Sequence, residues 1–256
     1  MKVYQKYASY YDTLYQYKNY PKECVFLEKV LKRYIKKKNV SILDLGCGTG
    51  SHALILAKQG NKVTGVDLSD SMIKLAKEKA RRTGIEVDFR QGDVRNIGLN
   101  KKFDIVLLMF NVIGYQITNQ DLVSTLKTAS RHLKKGGILI FDCWFGPAVL
   151  KQMPGSRKKI IKKSNREKLI KSSTSVLDIL NQTVDIKYQV LRVLKGKVFD
   201  KVNETHKIRF LFPQEIRYYL EEAGLQGLEI CPFLQLNKKP SFGDWNITVI
   251  ARKSKR

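Results

Sequence analysis

Between residues 22 and 37 (KECVFLEKVLKRYIKK), Cys24, Phe26, Leu27, Val30, Leu31, Tyr34 and Ile35 recur at helical spacing with lysines between them, which predicts an amphipathic helix. VSILDLG (40–46) is an almost unbroken apolar run and predicts a buried strand; Gly46, Gly48 and Gly50 break it, and SHALILAKQ restarts as a helix. KVTGVDLS (62–69) predicts a second strand, with Ser69 at the N-cap position of a helix carrying Met72, Ile73, Leu75 and Ala76. The alternation continues through a short strand (87–91), a buried strand (103–110), a helix near 119–133 and a strand at 137–143. Such alternation predicts a parallel sheet covered by helices on both faces, with ligands beyond the carboxyl ends of its strands.

After Pro147 the pattern changes. KKIIKK, KLIKSSTSVLDI, QTVDIKYQVLRVL and KVNETHKIRFLF have strand character, with a hairpin turn at Gly196-Lys197. Thr183, Asp185, Lys187 and Gln189 alternate with Val184, Ile186, Tyr188 and Val190, so that strand should have one wet and one buried face. A helix (213–224) ending at Gly224 and two closing strands, LEICPFLQL and WNITVIAR, restore the α/β pattern. The expectation is therefore an α/β chain: a Rossmann-like, doubly wound, mostly parallel seven-stranded sheet with a small antiparallel β insertion after the fifth strand. Residues 1–150 and 208–256 would form the main domain and 151–207 the insertion.

Composition adds one unusual quantity. The 256 residues, 43% hydrophobic, carry 48 Lys+Arg against 23 Asp+Glu, a net charge of +25, with a pI near 9.9. Residues 1–150 hold +12 of this and 151–256 hold +13, with nine basic residues and one acidic between 151 and 171. Such a field attracts polyanions. Lysine supplies 35 of the 48 cations and suits planar bidentate reading of phosphates or bases less well than arginine. Cys24, Cys47, Cys143 and Cys231 lack a C-x-x-C pair and accompany only three histidines, so neither a zinc site nor a disulfide framework is expected. The polar, aromatic N-terminus is no signal peptide and no run reaches bilayer-spanning length, which predicts a cytoplasmic, soluble protein without a membrane partner.

The chemistry concentrates at Leu43-Asp44-Leu45-Gly46-Cys47-Gly48-Thr49-Gly50, a strand-to-helix junction where glycines allow close approach of a ligand and the helix N-terminus offers unpaired N–H groups. Asp67 ends the second strand, where its carboxylate can accept two ribose hydroxyls; Gly92-Asp93 follows the third, where an acid can accept from an adenine amino group. Nicotinamide dinucleotides favour G-x-G-x-x-G, but the third glycine would fall at Ser51. Nearby acids suit a cationic ligand better than a pyrophosphate. LDLGCGTG, VDLS and QGDV together resemble the successive motifs of the class I S-adenosylmethionine-dependent methyltransferases. The resemblance implies S-adenosyl-L-methionine as cofactor, held by Asp44, Gly46, Cys47, Gly48, Thr49, Gly50, Asp67, Leu68, Gly92 and Asp93, with Met72, Val94 and Met109 as apolar walls around adenine.

The segment after the fourth strand, Met109-Phe110-Asn111-Val112-Ile113-Gly114-Tyr115, lacks the Asn/Asp-Pro-Pro-aromatic motif of enzymes that methylate nucleobase or glutamine amino groups. Cys143 lacks the neighbours of a cytosine-C5 nucleophile and reads as core, and no metal site is expected. Tyr11-Asp12 ahead of a long helix, MFNVIGY, FDCWFGP and THKIRFLFPQEIRYYLEEAGL are similar to N,N-dimethyltransferases of nucleotide-linked amino sugars. In those enzymes a histidine can stand where this chain has Tyr115. The similarity implies an aromatic N-terminal lid, Tyr11 and Tyr115 in the catalytic role of orienting the acceptor, and Tyr4 and Trp144 as substrate contacts; Trp144 can equally pack beneath the insertion. His52 reads as a helix-surface residue. The run at 157–171 is placed beside the acceptor pocket, so an anionic small molecule is the expected partner of a monomer or homodimer. The alternatives are an RNA or ribosome-associated methyltransferase, which nucleic-acid attraction would serve, and a binding module that keeps the fold without catalysis.

Overall fold

A computed structural model describes residues 7–162, 164 and 166–254. In chain order the elements are α1 (Ala8–Leu14), α2 (Tyr20–Tyr34), β1 (Ser41–Leu45), α3 (Ser51–Lys58), β2 (Lys62–Asp67), α4 (Asp70–Thr83), β3 (Asp88–Gln91), β4 (Phe103–Leu108), a 3-10 turn (Val112–Tyr115), α5 (Asn119–His132), β5 (Leu133–Trp144), α6 (Gly146–Gln152), β6 (Arg157–Lys162), β7 (Glu167–Asp178), β8 (Thr183–Leu194), β9 (Lys197–Arg209), α7 (Pro213–Glu222), β10 (Leu225–Pro232) and β11 (Asn246–Lys253). Seven strands form one sheet in the order β10-β11-β5-β4-β1-β2-β3. β11 runs antiparallel to β5 and β10, while β1 to β5 pair in parallel, with Ile42 opposite Val63 and Ile105. This is the expected Rossmann-like sheet.

The chain winds outward through β2 and β3, then returns to place β4 on the other side of β1. That reversal opens a crevice at the carboxyl ends of β1 and β4, where ligands of such sheets bind. Because both sheet faces are covered, successive strand residues enter opposite cores. Leu43, Leu45, Val106, Leu139 and Phe141 join the α5 and α7 side, while Ile42, Ile105, Leu107, Ile138 and Ile140 join the α2 and α3 side. Local capping sets the helix starts. Asn19 accepts from the Lys22 N–H at 2.9 Å, which starts α2 two residues earlier than periodicity suggested, and Ser69 caps α4 as expected, at 3.3 Å from the Met72 N–H.

The insertion is a four-stranded antiparallel sheet, β6-β7-β8-β9. Val184, Ile186 and Val190 are buried and Lys187 is exposed, as alternation predicted, but Thr183 is buried too. The hairpin turns at Lys195-Gly196, one residue earlier than expected: both have positive φ (46° and 79°), the pairing of a tight hairpin, and Lys197 already belongs to β9. Helix α6 was not expected, since Pro147 reads as a breaker; it lies in the first helical turn, where a missing N–H costs no hydrogen bond. Helix α1 is wedged between the two sheets. Its Tyr11 and Leu14, with Tyr7 at its start, pack against Leu169, Val190 and Val202 of the insertion and Met72 of α4.

Candidate active site

At the crevice, Gly46, Gly48 and Gly50 all have positive φ (79°, 54° and 77°), a region costly to residues with a Cβ. The Gly46 and Cys47 N–H groups donate to the Val66 carbonyl at 2.7 and 2.9 Å. Asp67 fixes the loop further: Oδ2 accepts the Gly48 N–H at 2.8 Å and Oδ1 the Ser69 N–H at 2.9 Å. Burial raises the Asp67 pKa and these two donors oppose the rise.

A cavity of about 290 Å³ opens over this loop. Of the residues expected at the cofactor, Gly46, Cys47, Gly48, Thr49, Asp67 and Leu68 line it, and so do Met72, Asp93, Val94 and Met109. Three others stand behind the lining. Asp44 is buried in β1, Gly50 is backed by the Phe89 ring, and Gly92 is packed against Ile97. Tyr11 and Tyr115 line the cavity. Trp144 does not: it packs edge-on to Trp245, 5.3 Å between centroids, against the cluster joining β5 and α6 to the insertion. Tyr4 lies outside the described residues.

Behind the cavity, Asp44 of the expected motif is joined by buried charged groups that motif reading did not find. Asp142, near the end of β5, accepts the Phe110 and Asn111 N–H groups at 2.5 and 3.0 Å. It thereby holds two non-glycine residues at positive φ (70° and 60°), a strain found at sites where the surroundings over-determine the backbone. Burial pushes both Asp44 and Asp142 up to about 6, and Asp44 Oδ2 has no hydrogen-bond partner among the described residues. His52 is not on the helix surface as expected. It is buried, its Nε2 lies 2.7 Å from Glu23, and its ring meets Tyr20 edge-on at 4.9 Å. Glu23 also pairs with Lys18, whose ammonium lies over the Phe110 ring at 4.3 Å. Burial works against the ionised Glu23, but His52 and Lys18 outweigh it and lower its pKa. The cavity can therefore take ligand hydroxyls against Asp67, which lines it, and hold a ligand cation in the field of the buried carboxylates behind it, an arrangement that fits the ribose, ammonium and sulfonium of S-adenosylmethionine.

At the mouth, the Asp93 carboxylate is engaged by Arg95 at 2.6 Å, which lowers its pKa, and Arg95 reaches Asp121 at 2.8 Å. Lys207 of β9 lines the cavity and pairs with Asp185 at 3.1 Å. No residue of 151–171 among those described lines it, which corrects the placement of the basic run. Lys158 and Lys162 face solvent on β6. Lys171 turns inward between the rings of Tyr15 and Tyr188 (4.5 and 4.2 Å), where burial, and then Lys159, bring its pKa down to about 8. Tertiary pairing of strands, which no charge count contains, decided that orientation.

The lid over the glycine loop is α1. Asp12 Oδ1 accepts from Thr49 Oγ1 at 2.7 Å and from the Lys79 ammonium at 2.9 Å. Elsewhere in the lining, the Tyr115 hydroxyl is 2.7 Å from His206 Nδ1, and His206 Nε2 is 3.0 Å from Glu204 Oε2. Spacing gave no sign of this pair, since 91 residues separate Tyr115 from His206. Cys143 is buried, and desolvation raises its thiol pKa. Among the described residues no cluster of His, Cys, Asp and Glu could hold a metal ion, and no helix is long and apolar enough to cross a membrane.

Residues 42–137 match a family described as a methyltransferase domain. A Bacillus subtilis (strain 168) protein, YqeM, whose name assigns it to the methyltransferases without an acceptor, is 31% identical over 225 residues, 88% of this chain and 87% of the relative. A dTDP-4-amino-2,3,4,6-tetradeoxy-D-glucose N,N-dimethyltransferase of Saccharopolyspora spinosa is 29% identical over 188 residues, 73% of this chain and 72% of that one. The crystal structure of an S-adenosylmethionine-dependent methyltransferase from Clostridium acetobutylicum ATCC 824 is similar at TM-score 0.83 and 26% identity, covering 99% of this chain and all of that one.

Proposed function

We propose, for a chain that belongs to the class I S-adenosylmethionine-dependent methyltransferases, that the methyl acceptor is the neutral amine of a small molecule, a nucleotide-linked amino sugar being the specific candidate. S-adenosylmethionine, when bound, supplies an electrophilic methyl group on a sulfonium. The residues beneath the cavity would hold it: Asp67 for the ribose hydroxyls, Met72, Val94 and Met109 around the adenine, and the field of Asp44 and Asp142 toward the cationic methionine end.

One observation carries the small-molecule reading. Asp12, Thr49 and Lys79 fasten α1 across the glycine loop, leaving a cavity of about 290 Å³ whose lining includes Tyr11, Phe110 and Tyr115. Aromatic walls exclude water and suit an amine that becomes cationic as its new bond forms. The amino-sugar dimethyltransferase relatives support the amine itself. Turnover is expected on a panel of amines that includes dTDP-linked amino sugars, with no methyl incorporated into RNA. The RNA reading keeps only the outward-facing lysines of the insertion, and it requires RNA affinity that falls steeply with salt. Methylation of RNA or protein alone would overturn our proposal.

A pH dependence follows from the raised carboxylates. The protonated form cannot neutralise a bound ammonium, so a cationic ligand must favour ionised Asp44 and Asp142. With both near 6 before binding, affinity for S-adenosylmethionine should be level above that pH. It should drop as pH falls through 6, by up to about tenfold per unit for each carboxylate. Calorimetry across that range, with methylthioadenosine as a control lacking the ammonium, checks this. Equal pH dependence of the two ligands would remove these carboxylates from the methionine end.

A further inference from the structure

We infer that Arg95 is a positioning residue for the adenine end of the cofactor: it clamps the Asp93 carboxylate in one orientation and ties it to the start of α5. The inference rests on the adenine placement proposed above. Asp93, Val94, Arg95 and Asp121 all line the cavity. Arg95 Nε donates to both Asp93 oxygens, at 3.0 Å to Oδ1 and 3.1 Å to Oδ2, and Nη2 donates to Oδ2 at 2.6 Å. The Arg95 backbone N–H adds a bond to Oδ1 at 2.9 Å. A planar guanidinium forked onto a carboxylate fixes the carboxylate plane, which the point charge of a lysine does not.

Exposed ion pairs usually contribute little, because two mobile side chains must be ordered to make them; bidentate pairs within a network are the exception. Here the backbone supplies the order. The Asn96 and Ile97 N–H groups donate to the Asp93 carbonyl at 3.2 and 2.8 Å, closing the turn after β3, and Thr128 Oγ1 of α5 donates to the Arg95 carbonyl at 2.7 Å. The remaining arm of the guanidinium, Nη1, donates to Asp121 Oδ1 at 2.8 Å. Asp121 is itself fixed in the first turn of α5, its N–H donating to Thr118 Oγ1 at 3.1 Å. An ionised carboxylate offers about four lone-pair sites. Among the described residues its donors are three N–H groups of Arg95, which leaves Asp93 about one site, enough for a single N–H of an adenine amino group. Asp93 thus meets the ligand as one oriented acceptor, and a purine bearing a 6-oxo group would set acceptor against acceptor there.

Binding of two nucleosides to the full chain tests this: methylthioadenosine and its 6-oxo counterpart methylthioinosine, both of which lack the methionine end. By calorimetry the wild type should bind the 6-amino nucleoside about tenfold more tightly than the 6-oxo one. Arg95→Ala should weaken methylthioadenosine about tenfold and leave methylthioinosine within about twofold, so that the preference all but disappears. Arg95→Lys should behave like Arg95→Ala, because an ammonium keeps the charge without the fork. Asp121→Ala keeps the fork and frees only its far arm; it should retain the preference and raise the dissociation rate of methylthioadenosine about threefold. Equal weakening of both nucleosides in Arg95→Ala, the mark of a merely structural role, overturns the inference, and so does wild-type affinity in Arg95→Lys. An unchanged dissociation rate in Asp121→Ala overturns the tie to α5. A wild-type preference that survives Arg95→Ala overturns the inference alone, whereas a wild type that does not distinguish the two nucleosides overturns the placement of adenine at Asp93 and the inference with it.

Discussion

Gly46→Ala is expected to lower folding stability by about 2–5 kcal/mol and to bring S-adenosylmethionine binding below detection. Two independent costs add. At φ +79° an alanine is strained by about 1–2 kcal/mol. Its Cβ would also stand 2.5 Å from Val112 Cγ2 and 2.8 Å from Cγ1, an overpacking worth roughly 1–3 kcal/mol. Val112 follows directly on Phe110 and Asn111, the turn held by Asp142, so it cannot retreat without disturbing the opposite wall of the cavity. Chemical denaturation and calorimetry measure the two losses. Gly46→Ala combined with Val112→Ala should recover the packing part and leave the φ strain. Gly48→Ala is the internal comparison, because it has positive φ but nothing within 4 Å of the added atom, and it should lose only the strain. A Gly46→Ala protein as stable as Gly48→Ala would show that the close approach of β1 and the 3-10 turn is not as described.

Asp67→Ala is expected to weaken S-adenosylmethionine binding by about 1.5–3 kcal/mol, roughly ten- to 150-fold, the range for hydrogen bonds to a charged group. The structure enlarges the effect that ribose contact alone would give. The same carboxylate accepts the Gly48 and Ser69 N–H groups, so its removal strands two backbone donors and loosens the loop. Asp67→Asn separates the roles: its single oxygen can keep one N–H while the charge and the second acceptor are lost, so its affinity should lie between the wild type and Asp67→Ala. Unchanged affinity in both variants would remove Asp67 from the ribose, and calorimetry with the folded state checked by circular dichroism decides it.

Both predictions concern positions visible in the bare sequence. Glycines at alternate positions after an apolar run, an acid ending the next strand and a serine before an apolar helix are local features, and their energies are local too. A positive φ, a cap and a buried parallel strand are each set by a few consecutive residues, so Gly46, Asp67 and Ser69 could be read directly. What sequence reading misplaced is non-local. His52 belongs to an apolar-periodic helix whose face is settled by Glu23 and Tyr20 of another helix. Trp144 stands where topology points to the site, but Trp245, a hundred residues later, takes up its ring. Asp142 carries no motif, because its partners are backbone N–H groups of a turn formed by a different strand connection.

The net charge shows the same division. Composition determined that the exterior is basic, and the motifs determined where acids stand at the ends of the first three strands, because each is read from the few residues around it. Only the tertiary structure decided where the excess charge goes. Strand register on the insertion turns Lys158 and Lys162 outward and Lys171 into an aromatic box, while Lys207 of β9 meets the cavity. It also decided that Tyr115, His206 and Glu204 form one chain, and that α1 closes over the glycine loop through Asp12. Those contacts join segments up to 156 residues apart. Their geometry is fixed by sheet pairing and packing rather than by local propensity, and so it cannot be read from neighbours in sequence.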